Sequence, residues 1–309
     1  MIIHQALDLF IMEIENTCLL CPRKCGVNRQ ISYGVCQVSN KIKIARAALH
    51  FWEEPCISGD SGSGAVFFSG CPLHCVFCQN EEISHGKVGK EISVERLAKI
   101  YLELQAKGAN NINLVTGTQY IPAIVSSVNL ARLGGLTIPI IYNTSGYEKV
   151  DSLKQLEGIV DVYLPDFKYM DSILAKKYSH AEEYPIVAKL AIDEMVRQRG
   201  NLQFDENGLI KSGVIVRQLL LPGHVNDSKM IVEYLYRKYG DEIFISIMSQ
   251  YTPMAQIKDK YPELNRRVTK REYDAVVQFA LDLGIENAFI QDRKVAKESF
   301  IPDFNGEGI

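Results

Sequence analysis

The chain has 309 residues, of which 47% are hydrophobic and 23% charged, a composition typical of a globular protein with ample length for a core. Its formal net charge of −3 argues against a basic face, so we expect neither nucleic acid nor an anionic membrane as a partner. No apolar run approaches the roughly 18 residues of a membrane span, and no basic residue precedes the first apolar stretch, so we expect neither a span nor a secretory signal and predict a cytoplasmic protein.

The eight cysteines are confined to one part of the chain. All lie between residues 18 and 78, and in a reducing compartment they indicate binding sites rather than a disulfide framework. We therefore predict a cysteine-rich N-terminal module over residues 1–60, a main domain over 61–292, and a C-terminal tail over 293–309 that is either a loop or a lid.

The N-terminal module contains a four-cysteine motif of spacing C-x2-C-x3-C-x10-C, formed by Cys18, Cys21, Cys25 and Cys36. Four thiolates complete the shell of a structural zinc ion or of an iron–sulfur cluster, and both alternatives stay open. Arg23, Lys24 and Arg29 would offset the thiolate charge. Cys56 is left over, and we interpret it as a buried free thiol.

The main domain alternates β-rich runs with amphipathic stretches. The runs are residues 65–68, 112–115, 138–142, 160–164, 214–220 and 243–247, dense in β-branched and aromatic residues. Ser93 is a predicted helix N-cap, and Thr269 with Glu272 predicts a capping box. Such alternation predicts an α/β fold with a mostly parallel sheet. Six units are too few for a closed eightfold barrel, so we expect a partial (β/α)6 TIM-like barrel.

A second cysteine motif, C-x3-C-x2-C, follows the first of these runs and comprises Cys71, Cys75 and Cys78. Three thiolates so close together can hold three irons of a [4Fe–4S] cluster and leave the fourth iron open, as a catalytic metal site requires. Zinc is the alternative, with His74 as the fourth ligand. The end of a parallel strand is where α/β folds bind their ligands.

The loop, with its lead-in from Ser61 through Asn80, resembles the radical S-adenosylmethionine (SAM) superfamily, in particular uncharacterised relatives of the pyruvate formate-lyase-activating enzyme. The resemblance extends from about Cys18 to Phe304. It implies a SAM molecule bound at the open iron and cleaved to a 5′-deoxyadenosyl radical. It also implies that Phe77 packs near the adenine, although ordinary core packing explains the same residue.

Further cofactor contacts are implied at later strand ends. Where much of the superfamily has Gly-Gly-Glu-Pro, this chain has Thr116-Gly117-Thr118-Gln119, so Thr116, Gly117 or a backbone carbonyl would hold the cofactor's amino group. The remaining implied contacts are Asn143, Ser145, Asp166 and Lys168. Asp166 and Lys168 could instead form a strand-end salt bridge.

Arg217 lies in the middle of an apolar strand and needs an anionic partner, either the cofactor carboxylate or a protein carboxylate. Gln250, at the end of the sixth run, is a weaker candidate. His224 is predicted to be a loop histidine.

The leading function is that of a radical SAM oxidoreductase which activates a glycyl-radical enzyme, with a flavodoxin or ferredoxin as the electron donor. A second hypothesis directs the same radical chemistry at a small molecule or another macromolecule. A third, from another class, is a metal-binding or electron-transfer protein without a radical step.

Overall fold

The computed structural model describes residues 17–290 and 302–309. Its sheet contains ten strands: β1 Ile42–His50, β2 Ser63–Phe68, β3 Lys90–Ile92, β4 Ile112–Val115, β5 Ile140–Thr144, β6 Val162–Pro165, β7 Gln203–Phe204, β8 Ile210–Leu219, β9 Phe244–Met248 and β10 Ala288–Ile290. The strand order is β10-β9-β8-β6-β5-β4-β2-β1-β3, with β7 paired to β8. Every pairing from β2 to β10 along this order is parallel, whereas β1 is antiparallel to both β2 and β3.

The α-helices lie between these strands. They are α1 Pro55–Ser58, α2 Glu81–Ser84, α3 Val94–Ala106, α4 Ile121–Leu133, α5 Val150–Lys154, α6 Ser172–Ser179, α7 Tyr184–Arg199, α8 Val225–Tyr239 and α9 Lys270–Asp282. Short 3-10 turns cover Thr118–Tyr120, Gly240–Glu242, Ala255–Ile257 and Pro262–Leu264. No helix in the described part of the chain is long and apolar enough to cross a bilayer.

The predicted α/β class with a mostly parallel sheet is confirmed. All six predicted runs are strands, namely β2, β4, β5, β6, β8 and β9, and helices connect them in sequence. The sheet also has a seventh parallel strand, β10, which follows α9 and pairs with β9. Within the described ranges β10 and β3 pair only with β9 and β1, so the barrel is open between these two edges.

Two layers of apolar side chains hold the helices to the sheet. Alternate residues of β2 illustrate the division, because Val66 and Phe68 join the large core under the helices while Ala65 and Phe67 face a smaller cluster inside the barrel. Helix α1 places Cys56 and Ile57 in a third cluster with inward-facing residues of β5, β6 and β8. This helix therefore fills the amino-terminal end of the barrel and leaves the carboxyl end for a cavity.

The sheet crosses the predicted boundary at residue 60, because β1 lies in the range of the N-terminal module and pairs with β2 from Ile44↔Phe68 to His50↔Ser63. The tail packs against the same strand. The Glu307 carbonyl accepts a hydrogen bond from the Ala47 backbone N–H at 2.9 Å, and the Glu307 carboxylate pairs with Arg46 at 2.7 Å. The division into three regions stays a prediction, because these contacts do not show where one folding unit ends and the next begins.

The two predicted helix starts are observed, and a side-chain hydrogen bond caps each of them. Ser93 Oγ accepts from the Arg96 backbone N–H at the start of α3, and Thr269 forms the predicted capping box with Glu272 at the start of α9. These bonds satisfy N–H groups that the first helical turn leaves without an intrahelical partner. Both helices can therefore begin abruptly after the preceding loop.

Candidate functional site

The three-cysteine loop begins directly after β2 and forms one wall of a cavity of about 250 Å³. Cys71, Cys75 and Cys78 all line this cavity. The turn uses left-handed backbone at Gly70 (φ 87°) and at His74 (φ 54°), which folds the loop back on itself. Cys71 Sγ accepts from the Leu73 N–H at 3.4 Å, and Cys75 Sγ accepts from Ser179 Oγ at 3.1 Å. Hydrogen bonds of this kind tune the potential of a thiolate-held cluster.

Burial disfavours the charged form of two of these thiols. Desolvation, helped by the neighbouring cysteines, raises the pKa of Cys71 to about 12 and that of Cys78 to about 11. Three thiolates so close together are therefore unfavourable without a cation to share. Iron supplies that positive charge, so the donor set fits a cluster held by three cysteines with one iron lacking a protein ligand.

Polar side chains from the later strand ends face the same cavity. Its lining includes Thr116 after β4, Asn143 and Ser145 at the end of β5, Asp166 and Lys168 after β6, Arg217 of β8, and Gln250 after β9. Parallel pairing brings these ends to one edge of the sheet. The cavity thus joins cluster-type ligands to a ring of hydrogen-bonding groups, as a site for a polar cofactor requires.

Gly117 differs from the other predicted contact residues. It does not line the cavity, and a Cβ atom built on it would lie 2.5 Å from the Ile124 side chain. Its neighbour Thr116 has a left-handed φ of 61°, so the strand turns sharply here. Gln119 stabilises the turn through Nε2, which donates to the carbonyls of Ser69, Gly70 and Thr116 at 3.0, 3.0 and 2.9 Å.

Phe77 lines the cavity and also packs in the core. Its ring makes edge-to-face contacts with the rings of Tyr169, Tyr178 and Tyr251, with 6.4, 6.4 and 6.0 Å between the ring centroids. Tyr178 in turn hydrogen-bonds His224, which lies outside the cavity lining at the start of α8. Core packing therefore describes Phe77 in the structure, whereas its packing near the adenine stays a prediction.

Asp166 and Lys168 form an ion pair at the cavity wall, with Lys168 Nζ 2.7 Å from Asp166 Oδ2. Their side chains are only 21% and 15% exposed, so this is no solvated surface bridge. Burial raises the pKa of Asp166, but Arg217 and Lys168 outweigh it and hold that pKa below its usual value. Burial opposes the charge of Lys168, and Asp166 with Cys75 raises its pKa nevertheless.

Each nitrogen of the Arg217 guanidinium donates a hydrogen bond to a protein acceptor. Its Nε donates to Asp166 Oδ1 at 2.9 Å, one Nη to Glu53 Oε2 at 3.1 Å, and the other to Asn143 Oδ1 at 2.6 Å. The protein-carboxylate alternative therefore describes this arginine in the structure. Lys168, Asp166, Arg217 and Glu53 form a continuous chain of charges, which we call the ion-pair chain.

Glu53 is a cavity residue that sequence reasoning missed. It follows β1, and its Oε1 accepts from the side-chain amides of Asn113 and Asn143 at 3.1 and 3.3 Å. Burial raises the pKa of Glu53, while Arg217 opposes that effect. The acidic pair before Pro55 was the available signal, but only the antiparallel return of β1 brings it to the barrel interior.

The four N-terminal cysteines also meet. Cys18, Cys21, Cys25 and Cys36 line one small cavity of about 10 Å³. Within residues 17–290 and 302–309, no three His, Cys, Asp or Glu side chains form a group suited to a single metal ion, and this applies to both cysteine motifs. Cys56 is buried in the barrel plug, the cluster that α1 forms at the amino-terminal end of the barrel and that contains no cysteine of either motif.

Comparison with known proteins finds a family match within the main domain. The model of the radical SAM superfamily matches residues 65–191, which contain most of β2, the three-cysteine loop and the next three parallel strands. Residues 65–191 are therefore similar to the radical SAM superfamily, whose members carry out SAM-dependent radical chemistry with a [4Fe–4S] cluster.

An uncharacterized protein of Methanocaldococcus jannaschii is 28% identical to this chain over 284 residues, which cover 89% of this chain and 78% of the relative. Among solved structures, Streptococcus suis SuiB bound to S-adenosylmethionine matches with a TM-score of 0.47 and 12% identity, over 72% of this chain and 48% of SuiB. HydG, a maturase of the [FeFe]-hydrogenase, matches with a TM-score of 0.48 and 14% identity, over 75% of this chain and 52% of HydG. The chain thus spans about half the length of these solved proteins.

Proposed function

We propose that this chain is a radical SAM enzyme whose cluster ligands are Cys71, Cys75 and Cys78. The observation that carries the proposal is one cavity lined by three cysteines and by polar strand ends, with all three cysteines in the range that matches the radical SAM superfamily. When bound, a [4Fe–4S] cluster with an open iron supplies the electron that splits SAM into methionine and a 5′-deoxyadenosyl radical. The protein's part is to hold the reactants and exclude water.

The surrounding side chains have separate tasks in this proposal. Phe77 offers an apolar face for the adenine, and Asn143 and Ser145 offer hydrogen bonds to polar cofactor atoms. Lys168 lies close enough to Cys75 for their charges to interact, so it would offset the negative charge of a bound cluster. Thr116, at a sharp turn, presents polar groups where the superfamily has Gly-Gly-Glu-Pro.

The decisive experiment is anaerobic reconstitution with iron and sulfide, reduction with dithionite, and measurement of 5′-deoxyadenosine formed from SAM. We expect product from the wild type and none above background from Cys75→Ala. Cys56→Ala is the matched control, since it also removes one cysteine but lies in the barrel plug. Equal product from Cys75→Ala and Cys56→Ala would refute the ligand assignment, and no product from the wild type would refute the enzyme class.

We further propose that the radical is directed at a backbone glycine of a glycyl-radical enzyme. His50 and Trp52 line the cavity, and Trp52 is 58% exposed. An exposed aromatic residue at a cavity favours contact with a polypeptide. The test is a glycyl-radical EPR signal on a candidate partner mixed with the reduced enzyme and SAM. Formation of 5′-deoxyadenosine without that signal would instead support a small molecule or another macromolecule as the substrate.

The electron donor is proposed to be a flavodoxin or ferredoxin, because a cluster that cleaves SAM needs a low-potential reductant. All eight cysteines are free of disulfides, which supports a reducing, cytoplasmic location. Replacing dithionite by a reduced flavodoxin or ferredoxin should sustain 5′-deoxyadenosine formation. If neither protein does so while dithionite works, the donor belongs to another class.

A further inference from the structure

The N-terminal module contains a built cavity that the proposed reaction does not use. It is lined by the four cysteines together with Arg29, Val35, Leu20, Pro72 and Gln119. The module folds tightly around it, since a Cβ atom on Gly34 would lie 3.2 Å from Cys36 Sγ and 3.4 Å from Cys25 Sγ. Four cysteines from a loop of 19 residues therefore converge on one small space.

The arrangement of the thiols favours a cluster over a single ion. Four sulfurs around zinc would all stand about 2.3 Å from the metal. Among the described residues, no three His, Cys, Asp or Glu side chains form a group that could hold one metal ion. A cluster has a separate iron for each thiolate, so its four ligands do not have to meet at one atom.

Arg29 indicates the charge of the occupant. Its side chain is buried, with one Nη donating to the Gln119 carbonyl at 2.6 Å and the other to the Ser39 carbonyl. Its Nε–H has no hydrogen-bond partner, and among the described residues Arg29 forms no salt bridge. The guanidinium lies over the Tyr120 ring, 5.7 Å from its centroid, but its unused donor still favours an anion. Metal-bound thiolates in the cavity that Arg29 lines would supply one.

We propose that Cys18, Cys21, Cys25 and Cys36 hold a second [4Fe–4S] cluster, closed by four protein thiolates, and that Arg29 Nε–H donates to one of its sulfurs. With every iron ligated by protein, this cluster has no open position for a substrate. It is distinct from the three-cysteine site and does not depend on the proposed reaction.

The segment that would hold the second cluster packs directly against the three-cysteine loop. Arg23, between two of its ligands, donates from Nε to the Pro72 carbonyl at 2.8 Å and from Nη2 to the Leu73 carbonyl at 3.2 Å. A Cβ atom on Gly70 would lie 2.7 Å from the Cys36 carbonyl, so the two loops are in direct contact. Pro72 lines the four-cysteine cavity while the adjacent Cys71 lines the catalytic one.

The test separates the two centres by stoichiometry. Wild type and a triple variant, Cys71→Ala/Cys75→Ala/Cys78→Ala, are reconstituted anaerobically and analysed for iron, acid-labile sulfide and zinc. We expect eight irons and eight sulfides per chain in the wild type and four of each in the triple variant. Adding Cys21→Ala should abolish the remaining iron, whereas adding Cys56→Ala should not. Because the triple variant lacks the catalytic ligands, the result is independent of any SAM cleavage.

Four irons in the wild type with none in the triple variant would overturn the proposal, as would one zinc per chain without the additional sulfide. The wild-type count decides the question even if the triple variant fails to fold. For Arg29, the measurement is the midpoint potential of the cluster in the triple variant. Arg29→Gln should shift it to more negative values, because a nearby positive charge favours the reduced state; an unchanged potential would refute the hydrogen bond to sulfur.

Discussion

Replacing Arg217 by methionine tests whether the ion-pair chain is a buried structure or a solvated one. The guanidinium makes three hydrogen bonds to protein acceptors, and its side chain is only 13% exposed. Removal would leave the carboxylates of Asp166 and Glu53 without their shared cation. Breaking a buried pair in this way costs about 3–5 kcal/mol of unfolding free energy.

For a chain of this length, the entropy of unfolding converts that loss into a drop of about 5–8 °C in the thermal midpoint. The assay is anaerobic differential scanning fluorimetry of the reconstituted wild type and variant. A double variant, Arg217→Met/Glu53→Gln, is the matched control because it removes the stranded charge together with the cation. We expect it to recover roughly 1–2 kcal/mol relative to Arg217→Met alone, as coupled neighbours do.

The loss should also depend on pH. Burial raises the pKa of Glu53 and Arg217 opposes this, so the variant raises that pKa further. A carboxyl group whose folded pKa lies above its unfolded value favours folding at low pH, and that contribution is lost as the pH rises through the folded pKa. The deficit of Arg217→Met should therefore be larger at pH 8 than at pH 5.5. A pH-independent deficit below about 1 kcal/mol would refute the reasoning, since solvated pairs contribute no more than that.

Glu148 is buried beside Thr118, whose Oγ1 donates to its carboxylate at 2.6 Å, and burial raises its pKa from 4.5 to about 7. This one group should lower the free energy of unfolding by roughly 3 kcal/mol between pH 4.5 and 7, and Glu148→Gln should remove that part of the slope in thermal scans. Thr269→Ala removes the N-cap of α9 and should cost about 1 kcal/mol in the same assay, whereas an unchanged midpoint would show that Glu272 alone suffices. Gly70→Ala would add a methyl group 2.7 Å from the Cys36 carbonyl at a left-handed φ, so iron content should drop; full iron content would mean that the loops can separate without loss.

The parallel strands could be predicted because buried parallel strands are apolar along their whole length. Runs such as Val214–Leu219 contain enough β-branched residues to stand out from the amphipathic helices around them. By contrast, β1 contains Ala45, Ala47 and Ala48, which have low strand propensity, and β10 covers only three residues. Both were therefore missed, and the open sheet has one more parallel strand than the six predicted runs.

The same limit applies to the site. The cysteine motifs and most polar strand ends are local features, because spacing and the position after a strand can be read from the sequence. Glu53 could not be placed, since its approach to Arg217 depends on pairing between strands distant from it along the chain. The tail contact of Phe304 with Phe67, at 5.5 Å between ring centroids, is equally non-local.

The ion-pair chain has a consequence for how charged molecules approach the cavity. Its two carboxylates and two cations cancel formally, so they project little net field beyond the cavity mouth. A zwitterionic ligand would then arrive without long-range steering, and its association rate should vary little with ionic strength. For such a ligand to contact Arg217, one of the protein acceptors would have to release its hydrogen bond to the guanidinium. The slow step of binding would then be this exchange of hydrogen-bond partners rather than diffusion.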